Sequence, residues 1–250
     1  GDGRLQLGGA SNGTFGAAIA GLGGLTIGTG TASINEDASI GSVSFASSEG
    51  GALNIAANKT LNLGSTLYTN GANALAGTGT IAMAGNAGTV FNTALNFDGT
   101  LTMNAGTARF NTSGFVNTVN INSGGTLDAD VSRVRANTVN LNEGSTLALR
   151  LRNTATDTSG NVRDGHFGVL EANTVNVNGA SNLKVTIDYG TVTKEEGTEF
   201  KLIEGTVNNA SNFTLRNNRY SFESVSCADG LCYNIIQTSN AGEAAGEAGG

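Results

Sequence analysis

His166 is the only histidine in the 250-residue chain, and it lies in a stretch where cationic side chains gather: Arg150, Arg152 and Arg163, beside Asp157 and Asp164. A Ser-His-Asp relay could be assembled only around that stretch. No Gly-x-Ser-x-Gly elbow accompanies it, so His166 reads as a loop histidine and no catalytic residue is assigned. Arg150, Arg152, Arg163, Asp164 and His166 instead form the candidate binding set, able to meet a glycan or a partner protein from a protruding loop. The competing reading pairs these arginines with the neighbouring aspartates on a solvated excursion.

Carboxylate chemistry has one further candidate. Asp128 and Asp130 share strand parity and should point to one face, where they are expected to form a solvated edge rather than a catalytic pair. A glycan hydrolase needs two such groups, about 5 Å apart for retention and wider for inversion. Glu36, Asp37, Glu49, Asp98 and Glu143, the acids scattered along the coil, do not recur in register. The two cysteines stand in Cys227-Ala-Asp-Gly-Leu-Cys232, where Asp229-Gly230 is turn chemistry. That turn makes a local Cys227–Cys232 disulfide plausible and with it an oxidising compartment, against two free thiols in a reducing one. Neither a second cysteine pair nor a histidine stands close by, so no metal or cofactor is expected.

The elements that must carry these residues are written as a repeat. Asn-Thr-Val-Asn occurs at 117–120, 137–140 and 173–176, and in each copy a second apolar run follows eight residues after the first. The apolar-x-apolar pair extends backward through Leu5, Leu25, Val43, Leu61, Ile81, Leu101, Val119 and Val139, in steps of 18 or 20 residues. The next step, to Val175, is 36, which is one ordinary step plus a surface insertion at about 150–168. Within each unit apolar residues alternate with Asn, Thr or Ser, a period of two, and Gly-rich turns separate the runs.

This pattern predicts an all-β, right-handed parallel β-helix, with handedness taken from the usual crossover preference. Like residues then stack on like: Val119 under Val139, and Asn120, Asn140 and Asn176 in an outward amide ladder, with Asn122, Asn142 and Asn178 near the turns. That ladder is expected to be structural rather than sugar-binding. Thirty-eight glycines serve the corners, and the absence of proline suits strands whose N–H groups are all engaged. Aromatics are 6% and tryptophan is absent, as expected of rungs too thin for bulky rings. Residues 1–185 are expected to form the helix, 186–237 a β-rich cap over its open end, and 238–250 a flexible tail.

The net charge is −7 and only 13% of residues are charged. Such a surface disfavours nucleic acid and anionic lipid as partners. No apolar run reaches 18 residues, so no helix is expected to span a bilayer. No segment reads as a signal peptide, and a chain opening at Gly1 without Met is expected to be a mature or excised portion.

The Asn/Gly/Thr-rich rungs, the phrase His166-Phe-Gly-Val-Leu-Glu-Ala-Asn-Thr-Val175 and Gly197-Thr-Glu-Phe-Lys-Leu-Ile203 followed by Phe213 resemble the C-terminal part of autotransporter passenger domains. The resemblance implies display at the surface of a Gram-negative bacterium, export through an outer-membrane pore, and folding seeded by the C-terminal cap. It implies a membrane contact only through a β-barrel outside this chain. Family members include adhesins, proteases, cytotoxins and esterases, so location is implied more firmly than activity. The expected function is a rigid, non-enzymatic stalk that supports adhesion to a host or matrix protein or glycan, or self-association. The alternative is a secreted β-helical glycan-cleaving lyase or hydrolase.

Overall fold

Alternating apolar and polar residues in runs of four to ten produce strands, and glycine or asparagine between them produces corners. The computed structural model describes residues 3–17, 19–85, 88–151, 167–187, 199–217, 220–225 and 229–238. Among these the chain is a β-solenoid with no α-helix, and no helix is long and apolar enough to cross a membrane.

Each turn of the coil has three faces. The first face stacks Ala38, Leu61, Ile81, Leu101, Val119, Val139, Val175 and Val207 in parallel register. The second stacks Leu5, Leu25, Val43, Leu67, Thr89, Ala108, Leu127, Leu147, Leu183 and Leu215. The third begins as a separate sheet of Gly13–Phe15, Thr31–Ile34, Ala52–Ile55 and Ala74–Gly77. From Asn96–Met103 onward, single long strands carry the third face in their first half and the first face in their second. Inward residues of all three faces form one continuous apolar core.

The ladder read from the sequence therefore needs one correction. Leu5, Leu25 and Val43 do not continue into Leu61. Val43 lies beside Leu67 on the second face, while Leu61 lies beside Ala38 on the first. The strand Ala38–Phe45 serves both faces and divides at Gly41. There the chain turns so closely over the rung below that a Cβ would lie 2.3 Å from the Gly23 carbonyl oxygen. Gly64 and Ser65 continue this corner, donating their N–H groups to Ile40 and Gly41 oxygens at 3.0 and 2.7 Å.

The interior also admits more aromatic bulk than expected. Phe91, Phe97 and Phe110 are fully buried. Phe91 and Phe110 occupy adjacent rungs with ring centroids 4.9 Å apart and planes tilted by 53°. Their neighbours compensate in volume. Within their own strands they alternate with the small residues Thr89 and Ala108, and Thr69 is the register partner of Phe91 on the rung below. Buried hydroxyls in this region are paired: Thr69 with Thr93 at 3.0 Å, and Thr89 to the Leu67 oxygen.

Outward asparagines stack as predicted. Asn140 donates to Asn120, Asn176 to Asn140 and Asn208 to Asn176, at 2.8, 2.9 and 2.8 Å. A parallel ladder joins Asn104, Asn122, Asn142 and Asn178 at 2.7–2.9 Å. Two further ladders join Asn117, Asn137 and Asn173, and Asn70, Asn92 and Asn111.

The 36-residue step is one turn carrying an excursion. Leu147 pairs with Leu183 as Val139 pairs with Val175, and an antiparallel bridge between Leu151 and Phe167 brings the ends of segment 152–166 together. The change of composition near residue 186 does not end the winding. Glu199–Asn208 and Phe213–Asn217 still pair in parallel with the turn below. Antiparallel pairing belongs to Gly230–Thr238, which joins Glu199–Asn208 on one side and Tyr220–Val225 on the other.

Candidate functional site

Of the candidate binding set, Arg150 is described and Arg152, Arg163, Asp164 and His166 lie outside the described residues, as does Asp157. Arg150 sits in the strand Thr146–Leu151, one rung from Asp130. Its Nε lies 3.3 Å from Asp130 Oδ1, and its backbone N–H donates to the Asp130 oxygen at 2.9 Å. Arg109 approaches the same carboxylate from the other side, with Nη2 3.3 Å from Oδ2.

Asp128 and Asp130 do not share one face as strand parity predicts. The strand ends at Asp128, and Asp130 takes a left-handed backbone, φ +49°, which cancels the parity that would have aligned them. Asp128 Oδ1 instead accepts the Asp130 N–H at 2.8 Å. The Asp130 side chain is 9% exposed and lies between two guanidinium groups. This is a corner clamp spanning three rungs rather than an acid and a base facing a substrate.

Cys232 is buried and disulfide-bonded. Cys227 lies outside the described residues. Among the described residues no three His, Cys, Asp or Glu side chains gather to hold a metal ion. At the far end of the coil, Lys59 donates to Glu36 Oε2 at 2.8 Å. That hydrogen bond, then the attraction of the Glu36 charge, pushes the lysine pKa above its ordinary value; burial opposes the shift and Asp37 adds to it.

The best-formed site lies on the third face near the C-terminal end. Four outward side chains stack in one column there: Phe115, Arg135, Glu171 and Glu204 are successive register partners. The residues next to them, Val116, Ala136 and Ala172, point inward and are buried, which fixes the column outward. Arg133 lies two positions before Arg135 and reaches along the axis. Its Nη1 is 3.0 Å from Glu171 Oε2 and 2.7 Å from Glu204 Oε2, and its side chain is 15% exposed. Arg135 Nε contributes a 3.3 Å contact to Glu171 Oε2.

Beside this column is a cleft of about 620 Å³, into which Lys201, Thr206 and Asp229 also face. Its cause is a missing side chain. The Asn117–Asn137–Asn173 ladder should continue on the next rung, but there Gly205 alone opposes Ala172 and Asn173 across a register shift. Gly205 has φ +120°, and a Cβ would lie 1.6 Å from the Ala172 oxygen, so glycine is required. Its N–H donates to the Asp229 oxygen at 2.9 Å. The cleft floor is therefore backbone, and its walls are charged and amide side chains.

Glu171 and Glu204 do not stand out in the sequence as a carboxylate pair, because 33 residues separate them. A signal did exist: Phe115, Arg135 and Glu171 each precede a Val of the repeated phrase by four residues. Glu204 precedes Val207 by three, because the register shift removes one residue. Both carboxylates aim Oε2 at one guanidinium nitrogen, which is the geometry of an ion-pair cluster. No family model and no curated protein matches the chain.

Proposed function

We propose that this chain is a rigid stalk segment of a bacterial surface protein, in the manner of an autotransporter passenger, and that it supports adhesion or self-association. The observation that carries this reading is parallel pairing of rung on rung among the described residues from Arg4 to Asn217, with local register shifts only. A coil whose rungs hydrogen-bond to one another through the backbone and, from Asn70 to Asn208, through amide ladders resists bending, and few elements in it can move independently. Its outward residues are amides and hydroxyls with sparse charge, suited to display in water. Gly230–Thr238 covers an edge of Glu199–Asn208 and is itself covered by Tyr220–Val225, an antiparallel arrangement that supports a closing role at the C-terminal end.

The function is tested by displaying the chain on bacterial cells that lack adhesins, through an outer-membrane anchor, beside cells carrying the anchor alone. The expected result is increased binding to host-cell or matrix surfaces, or increased cell–cell aggregation. Equal behaviour of the two strains in both assays would sink the proposal.

A further inference from the structure

We infer that the cleft beside Phe115, Arg135, Asn173 and Gly205 is a binding site for a neutral saccharide. The inference does not depend on surface display, because it rests on the chemistry of the cleft alone.

The open valences come first. Arg135 uses Nε on Glu171, and its side chain is 51% exposed; Nη1 and Nη2 have no partner among the described residues. Asn173 donates through Nδ2 to Asn137 at 3.2 Å, and its Oδ1 accepts from none of the described residues, because Gly205 offers no amide above it. The Thr206 side chain is exposed at the same rim. A planar donor fork, an amide acceptor and a hydroxyl side by side match the alternating donors and acceptors of vicinal sugar hydroxyls.

The second observation is the partly exposed Phe115 ring, which stands at the head of the same column and lines the cleft. Amphipathic pyranose rings present an apolar C–H face to such a ring while their hydroxyls turn to the polar wall.

The third is charge. The lining carries Arg135 and Lys201 against Glu171, Glu204 and Asp229, with Arg133 bridging the two glutamates from behind. Among the described residues, three positive and three negative groups stand at or behind this lining, so neither sign dominates it to favour a phosphate, a polyuronate or a cation. A ligand that needs hydrogen bonds and no counter-charge fits that balance. The volume of about 620 Å³ lies in the range of pockets that enclose small ligands.

The test applies the full chain to an array of neutral hexose and N-acetylhexosamine glycans, with uronate and sulfated glycans as the charged arm. Isothermal titration of the best neutral glycan follows, for the native chain and for Arg135→Gln, Asn173→Ala and Phe115→Leu. The expected result is neutral-arm binding that each variant weakens by about tenfold or more, the effect of losing one charge-assisted hydrogen bond or one stacking face. Thermal unfolding should be unchanged for Arg135→Gln, whose side chain is half exposed. Amide resonances of Asn137 and Asn173 should shift on titration. The inference is overturned by silence of the neutral arm, by binding confined to charged glycans, or by variants that bind as the native chain does.

Discussion

Asn140 Nδ2 donates to Asn120 Oδ1 at 2.8 Å across one rung, and Asn140 Oδ1 accepts from Asn176 at 2.9 Å across the next. Each interior member of the ladder thus holds two neighbours. Replacing Asn140 with alanine removes both bonds and leaves the amides above and below half-satisfied. At about 0.5–1.5 kcal/mol per bond the expected loss is about 1–3 kcal/mol in denaturant unfolding. A cycle with Asn120→Ala isolates the pair: the two substitutions together should cost less than their sum. Strict additivity would mean that the ladder contributes nothing as a ladder.

This part of the molecule was legible because Val119, Val139 and Val175 keep identical neighbours, so like stacks on like without any long-range information. The same legibility failed between Val43 and Leu61. Both faces carry the apolar-x-apolar pattern, so a step of 18 residues can stay on one face or cross to another. Only the close approach at Gly41 decides which. The Arg133–Glu171–Glu204 cluster was harder still, since the excursion separates Arg133 from Glu171 by 38 residues. The left-handed backbone of Asp130 defeated a parity argument that assumes an unbroken strand.

Phe110 is fully buried against Phe91 in a column otherwise filled by smaller residues. Phe110→Ala opens a cavity that rungs fixed by their backbone pairing cannot collapse around. The expected destabilisation is about 3–5 kcal/mol. Phe110→Leu should recover most of it. If calorimetry places Phe110→Ala within about 1 kcal/mol of the native chain, the coil is more compliant than its stacking implies.

Asp130 combines a left-handed backbone with a carboxylate held between Arg109 and Arg150. Asparagine tolerates that backbone and keeps a hydrogen-bond acceptor, whereas valine tolerates neither the conformation nor the contact. Asp130→Asn should therefore lose little stability beyond the ion pairs, which are softened because both arginines are about a third exposed. Asp130→Val adds backbone strain of about 1–3 kcal/mol. Thermal unfolding of the two variants should rank native, Asn, then Val. A tie between Asn and Val would show that backbone conformation at this corner is not limiting.

Lys59 supplies a pH signature. Its ammonium pKa is raised in the folded state above the ordinary value of about 10.5 by its hydrogen bond to Glu36. The stabilisation is therefore complete below the unfolded-state value and is lost as pH rises through the folded-state value. The stability difference between the native chain and Lys59→Met should be constant from neutral pH to about 10 and shrink at higher pH. Unfolding midpoints measured across that range check it. A difference that shrinks on acidification toward neutrality would assign the effect to another group.

Gly205 ties the last regular turn to the closing strands. Its N–H reaches the Asp229 oxygen at 2.9 Å, its φ is +120°, and a Cβ would overlap the Ala172 oxygen. Gly205→Ala must push Glu199–Asn208 away from the strand below or release Gly230–Thr238. Overpacking of this kind costs about 1–3 kcal/mol, and the left-handed backbone adds to it. The loss should be local. Hydrogen exchange in Gly205→Ala should accelerate over Glu199–Asn208 and Gly230–Thr238, while Val119–Ile121 and Val139–Leu141, several rungs below, keep their protection. Because each rung rests on its neighbours, graded loss from the C-terminal end inward is the outcome a stack requires. Uniform acceleration through every rung would instead mark the coil as a single cooperative unit, with the closing strands holding all of it.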